Sequence, residues 1–394
     1  MPHKILLVHN EYHYRGGEAS YVQAQKQLLL SEGHEVFLLE KHNDQINQRS
    51  IKELVYSGVN SIWSYQSQIE IRSHIRNISP QLVHVHNFFP LWSPAIHQAI
   101  KQQGIPTVQH IHNYRLGCLN SCLFRNAQVC ELCVGRNLWR GLLYRCYRNS
   151  LPASLAVWLM LTFNRWRKTW QRDVDLFIVP SRFSLRKLVE IGLPADKMRV
   201  LPNFVPVPQI QHSPPPNEPV FLFVGRLSAE KGIMNLLEIW HRLHESSWQL
   251  KLVGDGDLLT AVQAYIAEHQ LDNIKLLGRQ TWQTVQEEIT KSSAIILPSI
   301  CYETFGLAVA EAFALGRPAL VSNHGALAEP VQEGETGFCL PYHQLDLWVE
   351  RIRWCGNNLC KLAEMGSKAK NFYMQNFTPE VHYSQLMRIY GELV

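Results

Sequence analysis

No run of about twenty apolar residues occurs in the 394-residue chain, so no segment has the length of a membrane-spanning helix. An export leader is not expected either. The apolar core at the start is only Ile5, Leu6, Leu7 and Val8, which reads as a first buried strand, and a cytoplasmic protein is the expectation. Charged residues are sparse at 18%, against a usual share of about 25%, whereas 46% of the chain is hydrophobic. That balance excludes a disordered chain and supplies a substantial core. No convincing Gly-x-Gly-x-x-Gly follows any strand, which weakens a dinucleotide-dependent oxidoreductase. No short internal repeat is visible.

Acidic residues are absent from one long stretch. Between Leu132 and Arg172 stand Arg136, Arg140, Arg145, Arg148, Arg165, Arg167, Lys168 and Arg172, with no Asp or Glu. Taking these eight from the 38 Lys and Arg leaves 30 against 33 acidic residues, so the net charge of +5 is local. Such a patch is either a solvated surface or a contact for an anionic partner.

What is present is a regular alternation. Short apolar runs at residues 5–8, 36–39, 82–85, 107–110 and 176–179 read as buried strands, with helical spacing between them. Strands without polar alternation indicate a parallel sheet covered on both faces. Residues 202–219 hold seven prolines, which remove backbone donors and resist regular elements, so a linker is expected there. The alternation restarts at 220–224, 249–253, 274–277, 294–297 and 319–321. The fold class is therefore α/β, with two Rossmann-like domains facing across a cleft. The divisions expected are a first Rossmann-like domain over 1–203, carrying a Cys-rich basic insertion at about 116–150, and a linker over 204–219. A second Rossmann-like domain over 220–372 follows, then a C-terminal helix over 373–394 expected to pack back on the first domain.

Parallel sheets bind ligands at the carboxyl ends of their strands. The strand at 220–224 runs into Gly225-Arg226-Leu227-Ser228-Ala229-Glu230-Lys231-Gly232. Glycines allow close approach, and Arg226 and Lys231 suit a diphosphate whose charge grows as a leaving group departs. An ordinary strand–helix loop with surface charges has the same pattern. The strand at 294–297 leads to Glu303 and, eight residues on, to Glu311 inside the apolar run Leu307–Leu315. A helix N-terminus offers free N–H groups to phosphate, and a carboxylate accepts both hydroxyls of a ribose. A carboxylate among apolar neighbours is costly without partners.

These motifs resemble those of the retaining glycosyltransferases of family 4, which have the GT-B fold. The resemblance is carried by Glu303-x7-Glu311, the Gly225–Gly232 loop with Arg226 and Lys231, and Gly16-Gly17 after the first strand. His112-Asn113-Tyr114-Arg115, Val179-Pro180-Ser181 and Val253-Gly254-Asp255-Gly256 add to it, in the family's order along nearly the whole chain. It implies that Arg226 and Lys231 bind the donor diphosphate, that Glu311 holds the ribose, and that Glu303 contacts the transferred sugar. Phe305 and Gly306, with Leu307 opening the helix, would cradle the distal phosphate. Gly254, Gly278 and Arg279 would lie near the nucleobase, Gly16 and Gly17 would approach the phosphates, and His112 would sit beside the sugar.

The implied reaction is front-face transfer from a UDP- or GDP-sugar to a saccharide or lipid-linked acceptor in cell-surface polysaccharide synthesis. No cofactor and no metal are required in that scheme, and nucleic acid is not among the expected partners. The Asp-x-Asp strings Asp173-Val174-Asp175 and Asp255-Gly256-Asp257 are poorly placed for a metal–nucleotide complex. The alternatives are a nucleotide-cofactor oxidoreductase and a GT-B binding protein without catalysis.

Two stretches fall outside this scheme. Cys118, Cys130, Cys133 and Cys146 have spacing compatible with a structural zinc, although Cys122 blurs the count. Two disulfides or small buried residues fit as well. From Ser154 to Trp170, Leu155, Leu159, Phe163, Trp166 and Trp170 share a helical face beside Arg165, Arg167 and Lys168. This is either core packing or a peripheral contact with an anionic membrane surface near the acceptor site.

Overall fold

A computed structural model describes residues 2–12, 16–45, 51–135, 137–206 and 216–394. Arg136 and the linker residues Pro208, Pro214 and Pro215 lie outside that set. The chain forms two compact units. The first comprises Met1–Leu123, Cys130–Pro202 and His382–Val394, and the second Phe124–Val129 and Asn203–Val381.

In the first unit the strands are β1 (Lys4–Glu11), β2 (Glu35–His42), β3 (Leu82–Val85) and β4 (Thr107–His110). A short hairpin of β5 (Phe124–Arg125) and β6 (Gln128–Val129), which clusters with the second unit, follows in the chain, then β7 (Leu176–Val179) and β8 (Met198–Val200) of the first. Six of them form a sheet in the order β2-β1-β3-β4-β7-β8, with every pairing parallel. The reason is visible in β1, where Ile5, Leu6, Leu7 and Val8 are all fully buried, so both faces of the strand need a cover.

Helix ends follow local chemistry. The helix Arg182–Ile191 starts where the Ser181 side chain accepts from the Ser184 N–H, and stops at Gly192 with φ 103°. Val179-Pro180-Ser181 is thus a strand exit and a helix cap. The last helix, Pro379–Tyr390, buries Leu386, Ile389 and Tyr390 among Ile5, Leu7, Leu82 and Val108. The His382 ring bonds the Pro202 carbonyl at 2.8 Å and the Tyr21 hydroxyl at 3.1 Å. The chain re-enters the first unit at His382, later than the boundary at 373, because the helix Leu359–Asn376 belongs to the second unit.

The second unit contains β9 (Val220–Val224), β10 (Gln249–Val253), β11 (Ile274–Gly278), β12 (Ala294–Leu297), β13 (Ala319–Ser322) and β14 (Gly337–Leu340). Their order is β11-β10-β9-β12-β13-β14, again all parallel. The winding runs one way from β9 through β11, then reverses to place β12 on the other side of β9. Ligands bind at such a reversal. β8 and β14 were not among the strands read from the sequence. Each is short, one interrupted by Arg199 and the other opened by Gly337.

The aromatic stripe is corrected in part. Its helix spans Leu151–Trp166, and Trp170 lies in a separate turn, 2% exposed. Phe163 is half-buried, whereas Leu155, Leu159 and Trp166 face solvent.

Candidate active site

The reversal in the second sheet brings together the loops that follow β9 and β12. The Lys231 ammonium and the Glu303 carboxylate form an ion pair there, and Ser299 donates from Oγ to the same carboxylate oxygen at 3.0 Å. Burial alone would raise the Glu303 carboxyl, but the charge and hydrogen bond of Lys231 outweigh it and hold it below the usual range. Burial likewise opposes the charge on Lys231, and Glu303 overcomes it, raising the ammonium's pKa. Arg226 is exposed and pairs with Glu230, four residues further on, at 2.8 Å. Both cations of the loop therefore already hold carboxylates.

Beside the pair, Gly306 caps the helix Leu307–Ala314 with φ 105°, and a Cβ there would meet Leu327 Cδ2 at 2.4 Å. Any other residue would be strained at this backbone angle and would push the Leu327 side chain aside. Phe305 is buried against Phe377, and Leu307 begins the helix whose free N–H groups face outward from Gly306. One turn along, burial pushes the Glu311 carboxyl up to about 7. Among the described residues nothing pairs with that carboxylate.

Glycines set the spacing of the neighbouring loops. Gly225 donates to the Val253 carbonyl and Gly254 to the Gly278 carbonyl. A Cβ on Gly254, whose φ is 144°, would come within 1.8 Å of the Gly225 carbonyl oxygen. Gly278 also has positive φ, and Arg279 beyond it is exposed.

One residue at this site escaped sequence reasoning. His324, after β13, holds the Ile300 carbonyl through Nε2 at 2.7 Å, so that nitrogen carries the proton. Its Nδ1 is left a buried acceptor without a partner. Burial lowers its pKa despite bonds to the Ile300 and Cys301 carbonyls, so the ring is neutral near pH 7. The adjacent Ala326 N–H bonds the Glu303 carbonyl, which pins the two loops together. A lone histidine in a loop carries no spacing signal.

The first unit holds His112, Gly16 and Gly17. Gly16 precedes the helix Gly17–Ser31, and a Cβ on it would meet nothing within 4 Å. His112 Nε2 lies 3.1 Å from His86 Nδ1, within a layer of stacked imidazoles from β3 and β4. Burial drives the pKa of both rings well below the ordinary value, with neighbouring histidines adding to it. Glu18, one residue past Gly17, was also missed. Its buried Oε1 has no hydrogen-bond partner, and burial pushes the carboxyl up to about 8 against Asn87 and Arg115.

Groups of three metal-capable side chains converge at two places among the described residues, His84–His86–His110 and Glu11–Glu40–His42. The cysteines are at neither, and all nine are free thiols, so the structure supports neither the zinc set nor the disulfides. Burial raises the Cys118 thiol to about 12 and also raises Cys133. Asp175 accepts from the Thr107 N–H and pairs with Lys101, at the amino ends of its strands and away from the ligand end.

The comparison with known proteins decides the family. Residues 209–372 match Glycosyl transferases group 1, and residues 15–208 match Glycosyltransferase Family 4. The chain belongs to this glycosyltransferase family. A lipopolysaccharide 1,2-N-acetylglucosaminetransferase of Salmonella typhimurium is 31% identical over 218 residues, 50% of this chain and 56% of that protein. The chain spans about half the length of the curated relatives it matches. The fold matches sucrose-phosphate synthase of Thermosynechococcus elongatus with a TM-score of 0.74 at 18% identity, covering 99% of this chain and 98% of the other. It also matches HepE of Anabaena in complex with UDP-glucose, with a TM-score of 0.70 at 16% identity, covering 99% and 100%. These neighbours establish the GT-B fold. No helix among the described residues is long and apolar enough to cross a membrane.

Proposed function

We propose that this glycosyltransferase moves a hexose from a nucleoside diphosphate sugar to a saccharide or lipid-linked acceptor at a membrane face, retaining the anomeric configuration. The observation that carries the reading is the Lys231–Glu303 pair at the sheet reversal, with Arg226 beside it and the Gly306-capped helix next to it. Arg226 and Lys231 would take the diphosphate, releasing Glu230 and Glu303. Glu303, freed at its carboxylate, would accept from hydroxyls of the transferred sugar. Glu311 would accept from the ribose, which gives its unpaired carboxylate the partners it lacks.

As the sugar leaves, charge collects on the diphosphate, where the two cations and the helix N–H groups stabilise it. The acceptor hydroxyl would attack from the same face and give its proton to a departing phosphate oxygen. No pair of opposed carboxylates is needed, unlike in most glycoside hydrolases. The relatives named for lipopolysaccharide synthesis and the UDP-glucose bound to HepE support a UDP-sugar donor and a cell-surface polysaccharide product.

The test is donor hydrolysis and transfer across UDP-, GDP- and other nucleotide sugars, read by mass spectrometry, with the product anomer read by NMR. An inverted product, or binding of dinucleotides in place of nucleoside diphosphates, overturns the reading. Transfer should persist in EDTA, and activity that needs added magnesium or manganese refutes the metal-free scheme.

A further inference from the structure

The helix Leu151–Trp166 begins where the Ser150 side chain accepts from the Ala153 N–H, with Pro152 in its first turn. One side packs inward through Val157, Met160, Leu161 and Asn164, and Asn164 donates to the Ile62 carbonyl of the neighbouring helix Ile51–Ile62. A surface helix ordinarily turns charged and polar residues to water. This one does the reverse. Its exposed residues are Leu151, Pro152, Leu155, Leu159 and Trp166, and none is polar. At 3.6 residues per turn, the four large ones fall within about 80° of arc. The indole of Trp166 is 77% exposed.

The preceding segment continues the surface with Trp139 and Leu143, 48% and 59% exposed, on a short helix packed against this one. Exposed cations stand at both ends of the apolar face, Arg145 and Arg148 before it and Lys168 and Arg172 after it. The sequence from Leu132 to Arg172 contains no carboxylate to neutralise them.

We propose that this face is a docking surface for an anionic lipid bilayer. The helix would lie in the plane of the interface, its leucines and tryptophans at the level of the acyl boundary and its cations at both ends on lipid phosphates. An apolar face with cations at its ends and no acid is complementary to that surface. A second copy of the chain would set these cations against themselves. The short apolar footprint makes the attachment reversible and dependent on salt. This inference rests on the reading that the acceptor is met at a membrane, and it names the side chains that make the contact.

The experiment is co-sedimentation of the full chain with phosphatidylcholine vesicles, with and without phosphatidylglycerol, alongside calorimetry of UDP and GDP on the same samples. The chain is expected to pellet with the anionic vesicles, to ignore the neutral ones, and to be released by high salt. The L155D/L159D variant should stay in the supernatant with its circular dichroism and nucleotide binding unchanged. R145E/R148E/K168E should lose affinity by at least fivefold per charge removed. These three are exposed, whereas Arg165 and Arg167 are half-buried and Arg167 stacks on Trp63.

The proposal is overturned if the wild-type chain ignores anionic vesicles at low salt, or if L155D/L159D binds them as the wild type does. It is also overturned if the chain ignores vesicles and forms a dimer in sedimentation equilibrium that those changes abolish. Intact nucleotide binding with no vesicle binding rejects the docking surface and leaves the proposed function standing. The converse result rejects the function and leaves the surface.

Discussion

Lys231 and Glu303 are 72 positions apart in sequence and share an ion pair where the second sheet reverses its winding. Each holds the other ionised in a site that by burial alone would discharge both. Lys231→Ala should weaken nucleoside diphosphate binding about tenfold to a hundredfold and cost about 1–3 kcal/mol of stability by leaving the carboxylate unpaired. Removing both charges in K231M/E303Q should restore most of the stability and none of the binding. Urea titration and calorimetry on the same variants separate the two effects. Glu303's depressed pKa means that this stability is present above the ordinary carboxylate range and is lost as pH falls through the folded value.

Glu311 has the opposite sign. Its folded pKa of about 7 lies above the usual 4.5, so its contribution to stability is present below 4.5 and lost as pH rises to 7. The ionised form is the one that accepts from a ribose. Nucleotide affinity should therefore rise between pH 6 and pH 8 in the wild type. Glu311→Gln should flatten that profile, weaken binding, and raise Tm by roughly 2–4 °C for about 1 kcal/mol gained. Wild-type affinity that is level across this range removes Glu311 from the ribose.

Two glycines should separate structure from function. Gly254→Ala drives a Cβ into the Gly225 carbonyl at a backbone angle that side chains rarely adopt, so thermal stability should drop by several degrees. Gly16→Ala has open space around it and should melt like the wild type. A loss of transfer in that variant, measured under saturating donor, would mark the loop as a substrate contact.

The imidazole layer in the first unit should make folding acid-sensitive. Burial lowers His84 to about 3, and His9 and His382 to about 4, from an ordinary 6.5. The unfolded chain takes up protons first as pH drops, so stability is full above about 6.5 and declines steadily below it. The urea midpoint should fall between pH 7 and pH 5 by more than in His84→Phe. An unchanged midpoint over that range contradicts the burial of these rings.

Much of the fold was legible because strand cores here are unbroken apolar runs. Ile5–Val8 and Ala294–Leu297 need no context to be read as buried in a parallel sheet. The glycine loop after β9 and the Glu303–Glu311 spacing were equally visible, since backbone approach and charge leave residue-type signatures. His324 and Glu18 were not visible. Each is a single polar residue whose role comes from which atoms are buried beside it, and that depends on loops distant in sequence. The cysteines left three readings open for the same reason, because spacing says nothing about whether thiols converge.

Composition and periodicity by themselves determined two parallel α/β units, the loops at their strand ends, and a basic stretch without acid. Only tertiary structure decided that Lys231 and Arg226 already hold carboxylates and that Trp170 is buried. It also decided that the helix Leu151–Trp166 turns its leucines to solvent. The physical reason is that periodicity identifies an apolar face, while the neighbours that cover it or leave it bare come from elsewhere in the chain.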